Sequence, residues 1–214
     1  MSTAQRLQEL YDRLLAAYGP QHWWPGETPL EIMVGAVLTQ NTNWGNVVKA
    51  INNLKQAGLL SLEALAELPR ERLAQLIRPS GYYNLKAGRL ANLLAMIKQR
   101  YGGDLDYFFS RPLSELRQSL LATKGIGPET ADSIALYAAG QPIFVVDAYT
   151  FRILGRHGLA DEDMGYFELQ EVFMDHLPPE APLFNEFHGL LVQLGKQRCK
   201  RSNPLCPGCP LEGW

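Results

Sequence analysis

No part of the 214-residue chain reads as a β-sheet. The one β-like run, Ile143–Val146, is four residues long and stands alone, so it is expected to be a buried connector. A run of 18 apolar residues is also missing, as is a charged-then-apolar leader, which argues against a membrane partner and makes a cytoplasmic location the expectation. Cysteine is scarce: the three present, Cys199, Cys206 and Cys209, all fall in the last 16 residues, so the fold has to stand on its core rather than on disulfides. Tandem repeats and low-complexity segments are lacking too. A net charge of -2 gives no support by itself for a polyanionic partner.

That average hides segregation. Between Arg70 and Arg100 there are seven basic residues (Arg70, Arg72, Arg78, Lys86, Arg89, Lys98 and Arg100) against one acid, Glu71. Lys196, Arg198, Lys200 and Arg201 add a second basic cluster, whereas Ala160–Glu186 carries eight acids and neither Lys nor Arg. Either pattern suits ordinary solvated helix faces, and only coincidence with another signal would make it a nucleic-acid footprint.

Apolar residues recur at helical spacing: Leu7, Leu10 and Leu14; Leu90, Leu93, Leu94, Ile97 and Tyr101; Leu113, Leu116 and Leu120. Pro69, Pro79-Ser80-Gly81, Gly102-Gly103 and Gly140-Gln141-Pro142 cut the middle of the chain into helices of ordinary length. The expected fold class is all-α.

Three features carry chemistry. The helical segment Leu113–Thr123 runs into Lys124-Gly125-Ile126-Gly127, and a second helix opens at Pro128, where a missing N–H costs nothing. Two glycines let the backbone turn tightly and approach a partner, and the amides opening the second helix point outward with the positive end of its dipole, a natural phosphate site. An ordinary αα-hairpin turn would need the same glycines. Further on, Asp147 follows the apolar run Ile143–Val146 and precedes Ala148-Tyr149-Thr150, where a helix N-cap is one reading. The cysteines have the spacing C-x6-C-x2-C, and metal binding explains them better than a redox pair, since the βαβ setting of such a pair is missing.

These features resemble the endonuclease III superfamily of helix-hairpin-helix DNA base-excision glycosylases. In that family a G-[VI]-G hairpin is followed about 20 residues on by a V-D motif with a catalytic aspartate, the separation that Gly127 and Asp147 have here. "LTQNTNW" (Leu38–Trp44), "GYYNLKAGRL" (Gly81–Leu90), "VVDAYTFRI" (Val145–Ile153) and "CKRSNPLCPGC" (Cys199–Cys209) fall in the family's order, covering most of the chain from about residue 30 onward. The resemblance implies a two-lobed, monomeric glycosylase fold with a C-terminal cysteine loop. One lobe is a helical bundle over 28–139 carrying the hairpin; the other comprises 1–27 with 140–214, and the cleft between them is expected to hold damaged double-stranded DNA.

The resemblance assigns backbone contact to Lys124, Gly125, Ile126, Gly127 and Thr130, with a monovalent cation at the hairpin shared with backbone carbonyls. It makes Asp147 the catalytic acid, stabilising positive charge on the sugar as the N-glycosidic bond breaks. Gln40 falls where the family enters the gap left by a flipped nucleotide; a helix cap or a surface amide is the other reading. Members that also cut the backbone carry a lysine just before the Thr-Ala of the second hairpin helix. Here that residue is Glu129, which cannot form an imine and otherwise suits a first-turn acid, so the resemblance implies a monofunctional enzyme. Lys124 and Lys196 are the conceivable substitutes for the missing amine.

For the base pocket the expected residues are Trp23, Trp24, Trp44, Glu129 and Lys196. Indole faces favour a cationic base, which points to alkylated purines such as 3-methyladenine. Mismatched thymine or uracil is the alternative substrate, and a non-catalytic DNA-binding protein the alternative class. Cys199, Cys206 and Cys209 resemble three ligands of the family's [4Fe-4S] loop, whose fourth cysteine would fall one position beyond Trp214.

Overall fold

The computed structural model describes residues 1–214 and contains twelve α-helices and no strand. In chain order these are α1 (Thr3–Tyr18), α2 (Pro29–Leu38), α3 (Trp44–Gln56), α4 (Leu62–Glu67), α5 (Arg70–Leu76), α6 (Tyr83–Tyr101), α7 (Leu105–Phe109), α8 (Leu113–Leu121), α9 (Pro128–Ser133), α10 (Ala148–Arg156), α11 (Tyr166–Met174) and α12 (Ala181–Gln197). A 3₁₀ turn at Arg78–Ser80 precedes α6, and a π-helical turn at Ile134–Ala138 continues α9.

Local chemistry sets the ends. Ser2 opens α1 with a capping box: its Oγ accepts from the Gln5 amide at 3.3 Å, and its own amide donates to Gln5 Oε1 at 2.8 Å. Gly102, left-handed at φ 65°, closes α6 by donating its N–H to the Ile97 carbonyl. The apolar positions read from the sequence in α1 and α6 are all buried, as are Leu116 and Leu120 of α8. None of the helices is long and apolar enough to cross a membrane.

Two compact units result, Pro25–Gln141 and Met1–Trp24 with Pro142–Trp214. At the centre of the first lies α2, in which every residue but Pro29 and Ile32 is buried. A helix apolar on all sides must be covered on all sides, and α3, α6, α9 and the π turn pack against it. In the second unit α12 packs against α1 and α10. Its core is aromatic: Phe144 stacks on Phe173 with centroids 3.6 Å apart and meets Phe184 and Phe187 edge-on.

The extended run Ile143–Val146 is that buried connector. With no neighbouring strand, its backbone groups are met by side chains: Gln170 Nε2 donates to the Phe144 carbonyl at 2.6 Å, and the Phe144 amide donates to Met174 Sδ at 3.3 Å. The run thus delivers Asp147 to the start of α10 from inside the core.

Candidate active site

In the first unit, the turn between α8 and α9 is fixed by its own groups. The Ile126 amide donates to the Thr123 carbonyl at 3.0 Å, and the Ile126 side chain is buried, leaving Lys124 and Gly125 exposed. The two glycines differ. Gly125 sits at φ +96°, and a Cβ there would lie 2.5 Å from Arg89 Cγ, so the fold itself requires glycine. Gly127 has ordinary backbone angles and nothing within 4 Å of a Cβ position, so nothing inside the protein accounts for it. It opens α9 without a side-chain cap, and Glu129 stands exposed in the first turn. Below the turn, buried Asp132 binds Arg117 through both oxygens, 2.7 Å to Nε and 3.2 Å to Nη2, tying α9 to α8.

The carbonyls of Thr123, Lys124 and Gly125 each accept one internal hydrogen bond, from the Ile126 amide, Asn92 Nδ2 (2.9 Å) and Gln40 Nε2 (3.4 Å). A second lone pair on each remains for the expected cation. Gln40 lies in the loop after α2, and its Nε2 also donates to Thr130 Oγ1 at 2.8 Å. Its Oε1 accepts from Arg89 Nη1. Gln40, the candidate for entering the gap, is therefore bound to the hairpin through Thr130 and Gly125.

Sequence reasoning placed Lys86 and Arg89 among solvated basic residues, and the structure corrects this. Lys86 is 1 % exposed, and its Nζ donates to the carbonyls of Leu38 (2.8 Å) and Ser80 (2.6 Å). Burial, with the Arg89 charge second, lowers its pKa to about 8. Charge patterning along the chain cannot reveal this, because it shows the sign of a side chain and not its depth. Tyr82, which opens α6 from the left-handed region at φ 45° with 70 % exposure, was also not singled out.

In the second unit Asp147 is both a cap and a candidate catalyst. Its Oδ1 accepts from the amides of Tyr149 (2.9 Å) and Thr150 (2.8 Å) and from Thr150 Oγ1 (3.0 Å). Its Oδ2 faces His188 Nε2 at 3.6 Å. Burial alone would push the carboxyl up, but His188 and the Thr150 donors outweigh it and hold the group below the usual carboxylate range. The side chain keeps 13 % of its surface exposed, so the carboxylate sits in a mostly dry site that is not closed. His188 was missed: it is buried on α12, 41 positions from Asp147, and only the packing of α10 on α12 brings the two together.

α12 also gathers the pocket candidates of this unit. Lys196 Nζ lies 5.1 Å from the centroid of the Trp23 ring. Burial lowers the Lys196 pKa, partly offset by the Asp147 charge. Trp23 meets Trp24 edge-on, centroids 5.6 Å apart, and approaches α12 so closely that a Cβ at Gly189 would lie 3.0 Å from Trp23 Cβ. Trp44 belongs to the other unit, where it opens α3 half-buried behind the Asn43 cap.

The cysteines are not brought together. Cys199 is buried, and its Sγ accepts from Arg156 Nη1 at 3.2 Å, while Cys206 is exposed. Among these and the other His, Cys, Asp and Glu side chains, no group of three or more could hold a metal ion. As arranged, the residues present do not fit a four-thiolate cluster. The loop is fastened by arginines: Arg152 Nε donates to the Cys199 carbonyl at 2.7 Å, and Arg156 donates to those of Lys200 (2.8 Å) and Arg201 (3.0 Å).

Comparison with known proteins places the chain in a family. Residues 34–179 match the HhH-GPD superfamily base excision DNA repair protein family. A protein of Methanocaldococcus jannaschii whose name assigns it to the DNA repair glycosylases is 44% identical over 209 residues, covering 97% of this chain and 94% of its own. The Helicobacter pylori 3-methyladenine DNA glycosylase MagIII, solved with 1,N6-ethenoadenine, superposes with a TM-score of 0.80 at 33% identity, over 92% of this chain and 98% of that one. Endonuclease III in a trapped covalent intermediate with DNA gives a TM-score of 0.84 at 26% identity, over 99% and 94% of the two chains. With more than half of its length matched to the family, and relatives aligned over nearly all of it, the chain belongs to the HhH-GPD superfamily of base excision DNA repair proteins, the endonuclease III superfamily.

Proposed function

We propose that this DNA glycosylase is monofunctional and releases an alkylated purine such as 3-methyladenine from double-stranded DNA. The observation that carries the reading is the Asp147 carboxylate, held below the usual carboxylate range, with one oxygen accepting the cap's hydrogen bonds, the other facing His188, and the side chain still partly open. As the bond from C1′ to the base nitrogen breaks, its electron pair leaves with the base and positive charge develops on the sugar. Asp147 stabilises that charge and orients the water that adds at C1′, whose proton passes to the carboxylate and then to solvent. An already cationic purine departs neutral and needs no strong general acid, which suits a site whose carboxyl is held in its charged form.

Glu129, standing where a lysine would form an imine, supports water as the nucleophile. The Gly125 and Gly127 amides grip the phosphate backbone, the role that would explain glycine at 127, whereas the expected contact from Ile126 falls away because its amide is bound to the Thr123 carbonyl. Trp23 and Trp24 offer indole faces to the everted base. No step is assigned to an iron-sulfur cluster.

A panel of duplexes, each with one modified base and scored for abasic sites, tests the substrate. Release is expected from the N3-alkylated purine duplex and not from the thymine or uracil mismatch; the reverse order would overturn the assignment. Borohydride trapping on abasic DNA tests monofunctionality in the same samples. No adduct is expected, and one that disappears in Lys196→Ala would make the protein a lyase acting through that residue.

A further inference from the structure

Lys86, Arg89 and Asn92 follow one another at i, i+3 and i+6 on α6, so they share a face. Each is turned on a different piece of the same neighbourhood. Lys86 fixes the end of α2 through the Leu38 carbonyl, two residues before Gln40. Asn92 donates to the Lys124 carbonyl in the hairpin turn. Arg89, between them, reaches both: Nη1 donates to Gln40 Oε1, and its Cγ lies over Gly125, where a Cβ would be 2.5 Å away. Arginine can only donate, so its contact orients the Gln40 amide with Oε1 toward the guanidinium. That leaves Nε2 for Thr130 Oγ1 at 2.8 Å and the Gly125 carbonyl at 3.4 Å. Two DNA-directed parts of the glycosylase reading, Gln40 and the hairpin, are thereby joined through one side chain.

We infer that Arg89 is a positioning residue that locks the Gln40 amide onto the hairpin, so that preference for a duplex with a missing base depends on it through Gln40. The inference rests on the glycosylase reading. It accounts for an arginine that is half-buried rather than extended from the basic stretch, and for the absence of any side chain at 125. An unlocked amide could rotate, exchange its donor and acceptor ends, and leave the hairpin.

The test measures affinity for a duplex with a tetrahydrofuran abasic analogue and for the same duplex intact, across a salt series, for wild type, Arg89→Met, Gln40→Ala and the double variant. Arg89→Met is expected to lower the preference for the abasic duplex by about 10-fold, the loss of one charge-assisted hydrogen bond. Affinity for the intact duplex and the salt slope should stay unchanged, and the double variant should be no worse than Gln40→Ala. Equal loss on both duplexes, with the slope reduced by about 0.9, would make Arg89 a direct phosphate contact and overturn the inference. Additive effects in the double variant would overturn it as well. If Arg89→Met melts below the assay temperature, Arg89→Gln is read by the same criteria. A wild type that binds both duplexes alike would overturn the glycosylase reading and this inference with it, whereas a discriminating wild type and an equally discriminating Arg89 variant would overturn the inference alone.

Discussion

The unit Pro25–Gln141 offers backbone where the other unit offers a side chain. Its hairpin exposes the backbone of Lys124 and Gly125, while Asp132, bound to Arg117, and Lys86 of α6 are buried beneath. The second unit does the opposite, presenting the Asp147 carboxylate, which apolar packing brings to the start of α10 and which caps that helix. A backbone grip is indifferent to base sequence and suits a repair enzyme that searches. A carboxylate in a mostly dry site acts on one bond. The division predicts that variants in the two units fail differently, and four outcomes would sharpen or break it.

The largest effect is expected at Asp147. Asparagine keeps an oxygen for the α10 cap but has no charge to set against the developing sugar cation. Asp147→Asn should therefore slow single-turnover base release by about 10²–10³-fold, with the protein still folded at the assay temperature and its duplex affinity close to wild type. Undiminished release would remove the carboxylate from the chemistry and the contrast between the units with it.

Next is the buried ammonium of the other unit. Lys86 has a native pKa of about 8 against an ordinary 10.5. Below pH 8 it is charged in both the folded and the unfolded chain, and between about pH 8 and 10.5 the unfolded chain holds the proton that the native one has released. Stability therefore rises with pH in that window. Relative to Lys86→Met, wild type should gain on the order of 3 kcal/mol, read from denaturant midpoints at pH 7.5 and 10. The neutral amine retains two N–H donors for the Leu38 and Ser80 carbonyls, so the anchor survives the loss of charge. A flat difference between the two proteins would mean that the ammonium is better solvated than its 1 % exposure implies.

Gly125 and Gly127 divide the two demands within a single turn. Gly125→Ala meets both a positive φ and the Arg89 side chain and should destabilise the fold by about 2 kcal/mol. Gly127→Ala meets open space, so stability should change by less than about 0.5 kcal/mol while duplex affinity falls. Urea unfolding and fluorescence anisotropy on the same samples separate them. A Gly127→Ala protein that binds duplex normally would show that no backbone comes close at that point.

Period and punctuation made the helices legible: Leu7, Leu10 and Leu14 could only be one buried stripe, and Gly102 a stop. The hairpin and Asp147 were legible because glycines and a lone acid after an apolar run are local signals. His188, Lys86 and Arg89 were not. Each acts on a group far away in the chain, Asp147 for the first, the end of α2 for Lys86 and Gln40 in the loop after it for Arg89, and only tertiary packing sets that pairing. The i, i+3, i+6 spacing of Lys86, Arg89 and Asn92 could be read as one face of α6, yet nothing in the spacing says what that face meets. The cysteines carry a strong spacing signal, yet they do not form a group of three or more metal-ligating side chains.

The smallest effect separates the two roles of Asp147. Alanine at 147 loses the charge, as asparagine does, and loses the cap in addition. Beyond the shared loss of base release, Asp147→Ala should unfold with about 1 kcal/mol less stability than Asp147→Asn, measured in urea near neutral pH. The wild-type carboxyl, depressed below its unfolded value, contributes stability that is full above the unfolded pKa and disappears as the pH falls through the native one. The gap between wild type and Asp147→Asn should accordingly close in acid, while the gap between the asparagine and alanine variants, which depends on an uncharged hydrogen bond, should not. If the asparagine and alanine variants are equally stable near neutral pH, the cap is held by charge alone, and what looks like two functions of one side chain is a single electrostatic one.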